Sequence, residues 1–214
     1  MDTPFSTENF FLVTENYNLW IFPFQFLLLI LGFLCAGLLF VRRSIKNRII
    51  GTLLGFFWIW TGLVYFITLF TSINYIACAI GGVFILQGFM IIVESFNEKK
   101  LVYFIKYKNR YILGYILIGY SLIIYPLVSY FLEGSLSNIE TLGLPCPTII
   151  FTFGFFMLSS IKFPRYLLII PSVCALIGLV TAINFRIYED FVIILVAFIT
   201  VIVKGRRKLL PGPF

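Results

Sequence analysis

Apolar runs follow one another along the chain at residues 20–41, 49–70, 73–95, 111–132, 147–161, 166–185 and 189–203. A helix rising about 1.5 Å per residue needs about 20 apolar residues to cross about 30 Å of hydrocarbon. The runs are dense in Leu, Ile, Phe and Val, and the gaps between them are short and polar. The pattern predicts an all-α polytopic membrane protein, a seven-helix transmembrane bundle forming a single domain over 1–214. A weaker pattern precedes the first run. Ser6 is placed to cap a helix, and Phe10, Val13 and Tyr17 share one helical face. Residues 6–17 are therefore expected as a short interfacial helix on the outer surface.

The polar gaps carry a second pattern. Of the 16 Lys and Arg residues, all but Arg186 fall in alternate gaps. Arg42, Arg43, Lys46 and Arg48 follow the first run, and Lys99, Lys100, Lys106, Lys108 and Arg110 the third. Lys162 and Arg165 follow the fifth, and Lys204, Arg206, Arg207 and Lys208 the last. Short loops rich in Lys and Arg stay in the cytoplasm, so the N-terminus is expected outside and the C-terminus inside.

Composition agrees. Charged residues are 12% of the chain, against about 25% in a soluble domain. The net charge of +7 lies in small clusters at membrane-facing ends, with no nucleic-acid motif beside them. The expected partner is the lipid bilayer, including its anionic headgroups, and not nucleic acid. The start lacks the basic region of a cleavable signal peptide and carries Asp2, Glu8 and Glu15 instead.

After the first span the chain makes three hairpins, spans 2–3, 4–5 and 6–7. Span 2 holds Trp60-Thr61 and Tyr65, and span 4 holds Tyr120-Ser121 and Tyr125, in matching register. Glycines recur inside spans 2, 3 and 4 (Gly55, Gly62, Gly81, Gly82, Gly88, Gly114, Gly119), where small residues let helix backbones approach closely.

Candidate chemistry gathers around span 5. Fifteen helical residues rise roughly 22 Å, less than the hydrocarbon thickness. Pro145 and Pro147 flank Cys146, and a residue before proline disfavours the α region. The helix is therefore expected to start inside the bilayer, near Thr148, after irregular backbone that must line a cavity or lie buried in protein. Span 7 is equally short, and shortened segments in corresponding places point to transporter binding sites. Polar groups are expected at the same depth: Gln25 in span 1, Asn74 opening span 3, Tyr125 before Pro126 in span 4, Thr148 and Thr152 one turn apart, and Asn184 closing span 6. With Cys146 they form the expected ligand site in an outward-facing cavity. The start of span 5 would offer N–H groups to an anion or a carbonyl oxygen. Glu189 and Asp190 are read as acids capping span 7, with an ion or proton role as the alternative.

The chain has no His and only four Cys. That leaves no set for a structural zinc site, no haem His and no Ser-His catalysis. No metal, cofactor or catalytic residue is expected. A membrane-embedded thiol enzyme using Cys146 is the remaining enzymatic reading.

The string Leu144-Pro145-Cys146-Pro147-Thr148-Ile149-Ile150-Phe151-Thr152, with Ile73-Asn74, Phe84 to Gly88, Tyr17-Asn18 and Pro23 to Gln25, resembles a family of small bacterial multi-span proteins catalogued only as a domain of unknown function. The resemblance implies a bacterial inner-membrane protein and brings no activity. The leading expectation is a transporter or channel for a small solute or ion. The alternative is a membrane sensor or assembly partner acting through protein contacts, including a homo-oligomer.

Cysteine placed at Ser137 should react with a membrane-impermeant thiol reagent from outside, and cysteine at Lys106 should not. The reverse labelling would overturn the seven-span orientation.

Overall fold

The computed structural model describes residues 7–97, 101–104, 109–135, 139–160, 163–185 and 197–202. Among these it is helical, with no β-sheet. The helices are α1 (Thr7–Ile21), α2 (Phe24–Gly37), α3 (Ile45–Trp60), α4 (Ile76–Ser95), α5 (Asn109–Gly119), α6 (Tyr125–Glu133), α7 (Pro145–Met157) and α8 (Ile169–Phe185). α3 continues through a π segment, Thr61–Leu69, and one 3₁₀ turn. A second π segment, Tyr120–Ile124, joins α5 to α6.

Three continuous helices are long and apolar enough to cross a membrane: Ile45–Ser72, Ile76–Ser95 and Tyr111–Leu132. They coincide with expected spans 2, 3 and 4. Leu12–Ile21 and Phe24–Phe40 make a fourth if that bent pair counts as one span. α7 and the segment Arg165–Val180 are apolar but shorter. Of expected span 7, only residues 197–202 are described, and they are helical.

The expected interfacial helix is longer than its sequence pattern. α1 runs to Ile21 and includes Trp20, which had been assigned to the first span. Pro23 cannot donate a backbone hydrogen bond, and the chain turns there by 83° before α2. One face of α1, formed by Val13, Thr14, Tyr17, Asn18 and Ile21, is buried on the bundle. α1 is thus a roof packed on protein.

The bundle is apolar on both sides. Its outward faces carry Phe33, Phe89, Val93, Ile123 and Phe131, and its centre sets glycine, Thr, Ser and Gln among buried aromatic and aliphatic side chains such as Phe57, Phe84 and Phe151. α4 buries Ala77, Gly81, Phe84, Gly88, Ile91 and Ser95, alternating steps of four and three along one seam. That seam meets small residues on α3 and its π extension. A Cβ on Gly88 would lie 2.6 Å from the Gly55 carbonyl, and one on Gly81 would lie 2.7 Å from the Gly62 carbonyl. α5 and α7 meet in the same manner, a Cβ on Gly114 falling 2.9 Å from the Gly154 carbonyl. Backbones at this separation gain dispersion contacts that larger side chains would prevent.

α7 stands at the centre. Every residue from Pro147 to Met157 is buried. Aromatic residues on its faces, Phe151, Phe153, Phe155 and Phe156, are enclosed by protein, with Phe57 edge-on to Phe151 at 5.9 Å.

Gly88→Ala should destabilise the protein by about 1–3 kcal/mol, since its methyl would meet backbone. Gly82→Ala has open space around its Cβ and should be neutral or stabilising by up to about 1 kcal/mol. Denaturant unfolding in detergent would read both.

Candidate functional site

The expected site centres on the start of α7, and the structure gives its geometry. The helix begins at Pro145, ahead of the expected start near Thr148, and Leu144 is its extended N-cap. Two prolines fit one first turn because residues there need no N–H partner. Pro145 and Pro147 carry no N–H, and the Thr148 N–H reaches the Leu144 carbonyl at 3.3 Å. Cys146 supplies the one remaining N–H of the first three residues. The expected row of N–H groups offered to an anion is therefore not formed.

The Thr148 side chain works inward. Its Oγ1 accepts the Gly143 N–H at 3.0 Å, while the Thr152 hydroxyl donates to the Thr148 carbonyl at 2.8 Å. Thr152 Oγ1 also accepts the Trp58 indole N–H at 2.9 Å. Trp58, Thr148 and Thr152 are buried to 1% exposure or less, which leaves no water-sized space beside them. Gly143 adopts φ +103°, a left-handed conformation suited to glycine. A Cβ there would press on Tyr17 Oη and Leu28 Cδ1, each at 2.7 Å.

Above this chain lies α1. Tyr17 Oη accepts the Trp60 indole N–H at 3.0 Å, and Thr14 Oγ1 lies 3.3 Å from Tyr65 Oη. The Tyr17 and Tyr65 rings meet edge to face at 5.5 Å. The outer-half cavity expected from sequence is occupied here by side chains and roofed by α1.

The remaining expected residues divide. Gln25 on α2 and Tyr125 at the start of α6 are buried. Tyr125 packs edge-on against Tyr120 at 6.1 Å. Asn74 is half-buried, and its Oδ1 accepts the Ile76 N–H at 2.9 Å, which orders the start of α4. Cys146 is half-buried, and none of the four cysteines forms a disulfide. Glu189, Asp190 and the side chain of Asn184 lie outside the described residues. Thr148 and Thr152 are thus brought together, with Gly143 and Trp58, and Asn74 serves its own helix.

The C-terminal end of α7 holds an element not expected from the basic gap. Residues 101–104 run extended beneath it. The Phe104 N–H donates to the Leu158 carbonyl at 3.2 Å, and the Ser160 N–H to the Val102 carbonyl at 2.8 Å. Asn47 Oδ1 accepts the Tyr103 N–H at 3.0 Å. The signal was present as an apolar stretch, Leu101 to Ile105, set between Lys100 and Lys106. Trp58 was legible too: tryptophan belongs at interfaces, so one at mid-span needs a partner for its N–H. Gln87 plays a related part on α4. Its Nε2 donates to the Leu167 carbonyl at 3.0 Å, and the Tyr166 hydroxyl donates to Glu94 Oε1. Both bonds hold the irregular start of α8 against α4.

Among the described residues no cluster of three or more His, Cys, Asp or Glu is placed to hold a metal. The geometry is that of a helical protein with three helices long and apolar enough to cross a membrane, the mark of a membrane protein. Within that class, the chain belongs to the DUF6064 family, a family of unknown function whose model matches residues 7–212. No curated protein and no solved structure matches it.

Thr152→Val keeps the shape of the side chain and strands the Trp58 N–H. It should cost about 1–3 kcal/mol, and Trp58→Phe with Thr152→Val should cost less than the sum of the single changes. A double-mutant cycle of unfolding free energies would show additive costs if the bond were unimportant.

Proposed function

We propose that this chain is an integral membrane protein of seven spans, with its N-terminus outside a bacterial inner membrane, that works as an assembly partner or sensor through contacts with another membrane protein. Its first partner is a second copy of itself. The observation that carries this reading is a patch on the outward face of α4. Cys78, Ala79 and Gly82 are exposed there, and Gly82 has open space where a Cβ would stand. The opposite face of the same helix already uses Gly81 and Gly88 to pack on α3. Small residues on a lipid-facing surface allow close approach of another helix. Bulky neighbours, Tyr75, Val83, Leu86 and Phe89, flank the patch and would frame the contact. The alternation of basic gaps supports the orientation. The packed centre supports a role in contacts, since Trp58, Thr148 and Thr152 already meet protein partners.

Transport of a small solute or ion is the second reading, and one observation favours it. α7 is only 13 residues long and ends in irregular backbone on both sides, the form that binding-site helices take in many transporters. Gln25, Tyr125, Cys146, Thr148, Thr152, Asn74 and Asn184 would then bind the solute, with Glu189 and Asp190 for an ion. That reading requires α1 to lift from Tyr65 and Trp60.

A symmetric dimer whose twofold axis lies along the membrane normal brings the two Cys78 residues to one depth. Mild oxidation of native membranes should give a disulfide-linked dimer that disappears in Cys78→Ser and weakens in Gly82→Leu. A dimer absent under these conditions, or one retained in Cys78→Ser, would overturn the α4 contact.

A further inference from the structure

At the elbow between α1 and α2, Trp20, Ile21, Phe24 and Trp60 line an open notch of about 220 Å³. We propose that this notch holds a single acyl chain from the lipid leaflet in which α1 lies, and that the chain braces α1 against the bundle.

The geometry comes first. α1 leaves the line of α2 by 83°. With α2 running across the bilayer, α1 lies close to the membrane plane. A helix in that position shields the space beneath it from headgroups and leaves it open sideways to hydrocarbon. The exposed faces of Phe24, Leu27, Ile30 and Leu34 continue down α2 from the notch. The notch is therefore continuous with the apolar surface of the span.

The chemistry of the lining selects the occupant. The four residues present rings and an aliphatic side chain. The indole N–H of Trp60 is engaged by Tyr17 Oη at 3.0 Å, so that ring offers the notch carbon. Water needs two or more polar partners to occupy a pocket, and a polar solute needs as many. An aliphatic chain needs none. Trp20, 64% exposed at the elbow, has the amphipathic ring that sits at headgroup level.

The position gives the bound chain a consequence. Trp60 touches the notch with its ring and holds the α1 roof through Tyr17. The same ring lies 3.1 Å from where a Cβ on Gly143 would stand, above the start of α7. A chain seated against Trp60 therefore packs the ring that supports both α1 and the turn at Gly143.

The chain has three tryptophans, which makes the test direct. Trp20→Phe leaves Trp58, fully buried, and Trp60, in the notch. This variant is reconstituted in phosphatidylcholine vesicles with or without bromine on the acyl chains. Part of its fluorescence should be quenched by brominated chains, by roughly a third to a half, and little of it by aqueous acrylamide. Trp20→Phe with Trp60→Phe should lose most of that quenching, because Trp58 is enclosed. Should that double variant fold poorly, lifetime measurements on Trp20→Phe give the same answer, one component shortened by bromine and one unchanged. Stronger quenching by acrylamide than by bromine would show an aqueous vestibule and overturn the proposal. No quenching of Trp60 by either reagent would show a closed notch and overturn it as well.

Discussion

A buried apolar helix too short to cross a membrane must have its ends satisfied by protein, and α7 is that helix. Thirteen residues rise about 20 Å, well short of about 30 Å of hydrocarbon. An unmatched N–H or carbonyl in hydrocarbon costs several kcal/mol, so both ends need built partners. At the N-terminal end the sequence lowers the demand, because Pro145 and Pro147 have no N–H to satisfy. Thr148 ties down the turn ahead of the helix by accepting the Gly143 N–H with its hydroxyl oxygen. At the C-terminal end residues 101–104 pair with 158–160, and Asn47 reaches from α3 to hold that strap. The roof of α1 and the strap of 101–104 are consequences of one short central helix.

The surrounding hairpins share a build. In α3 and in the α5 segment a π segment begins at the same sequence feature, an aromatic residue beside a hydroxyl: Trp60-Thr61 and Tyr120-Ser121. In both, the hydroxyl donates to a backbone carbonyl one turn back, Thr61 to Phe57 at 2.8 Å and Ser121 to Ile118 at 3.1 Å. In both, a glycine pair sets the helix separation. The proline of the second hairpin follows from this arrangement. Pro126 cannot donate to the Leu122 carbonyl, and it stands just after the π segment, where the hydrogen-bond ladder already changes step. Tyr111–Leu132 consequently continues as one apolar helix through Pro126.

Much of this was legible. Apolar length placed the helices that cover expected spans 2, 3 and 4, because in lipid only long apolar helices satisfy their own backbone. Gly55, Gly62, Gly81, Gly88 and Gly114 lie in the seams, whereas an added Cβ on Gly82 or Gly119 would meet open space. Legibility failed wherever the decisive contact joins residues distant in sequence. α1 could be read as amphipathic, but its buried face carries Thr14, Tyr17 and Asn18 beside Val13 and Ile21, and all five meet protein. Residues 101–104 sit in a gap whose lysines dominate a charge count. Thr148 and Thr152 were correctly paired by helical spacing, yet their partner Trp58 lies 94 residues from Thr152. The site was read as wet because polar groups at one depth invite a cavity, and depth cannot tell a cavity from a hydrogen-bonded core.

That difference bears on function through the hydrogen bonds themselves. A solute reaching Thr148 and Thr152 from the α1 side must first displace α1, breaking the Trp60–Tyr17 bond and the Thr14–Tyr65 contact. It must then replace the Trp58–Thr152 and Gly143–Thr148 bonds. Each buried partner left unmatched costs about 1–3 kcal/mol. A solute with a matching set of donors and acceptors could offset these costs, but only after α1 has moved. An assembly partner on the outward face of α4 meets no such barrier. Its contact surface is already exposed, and closing it requires only the displacement of lipid from Cys78, Ala79 and Gly82.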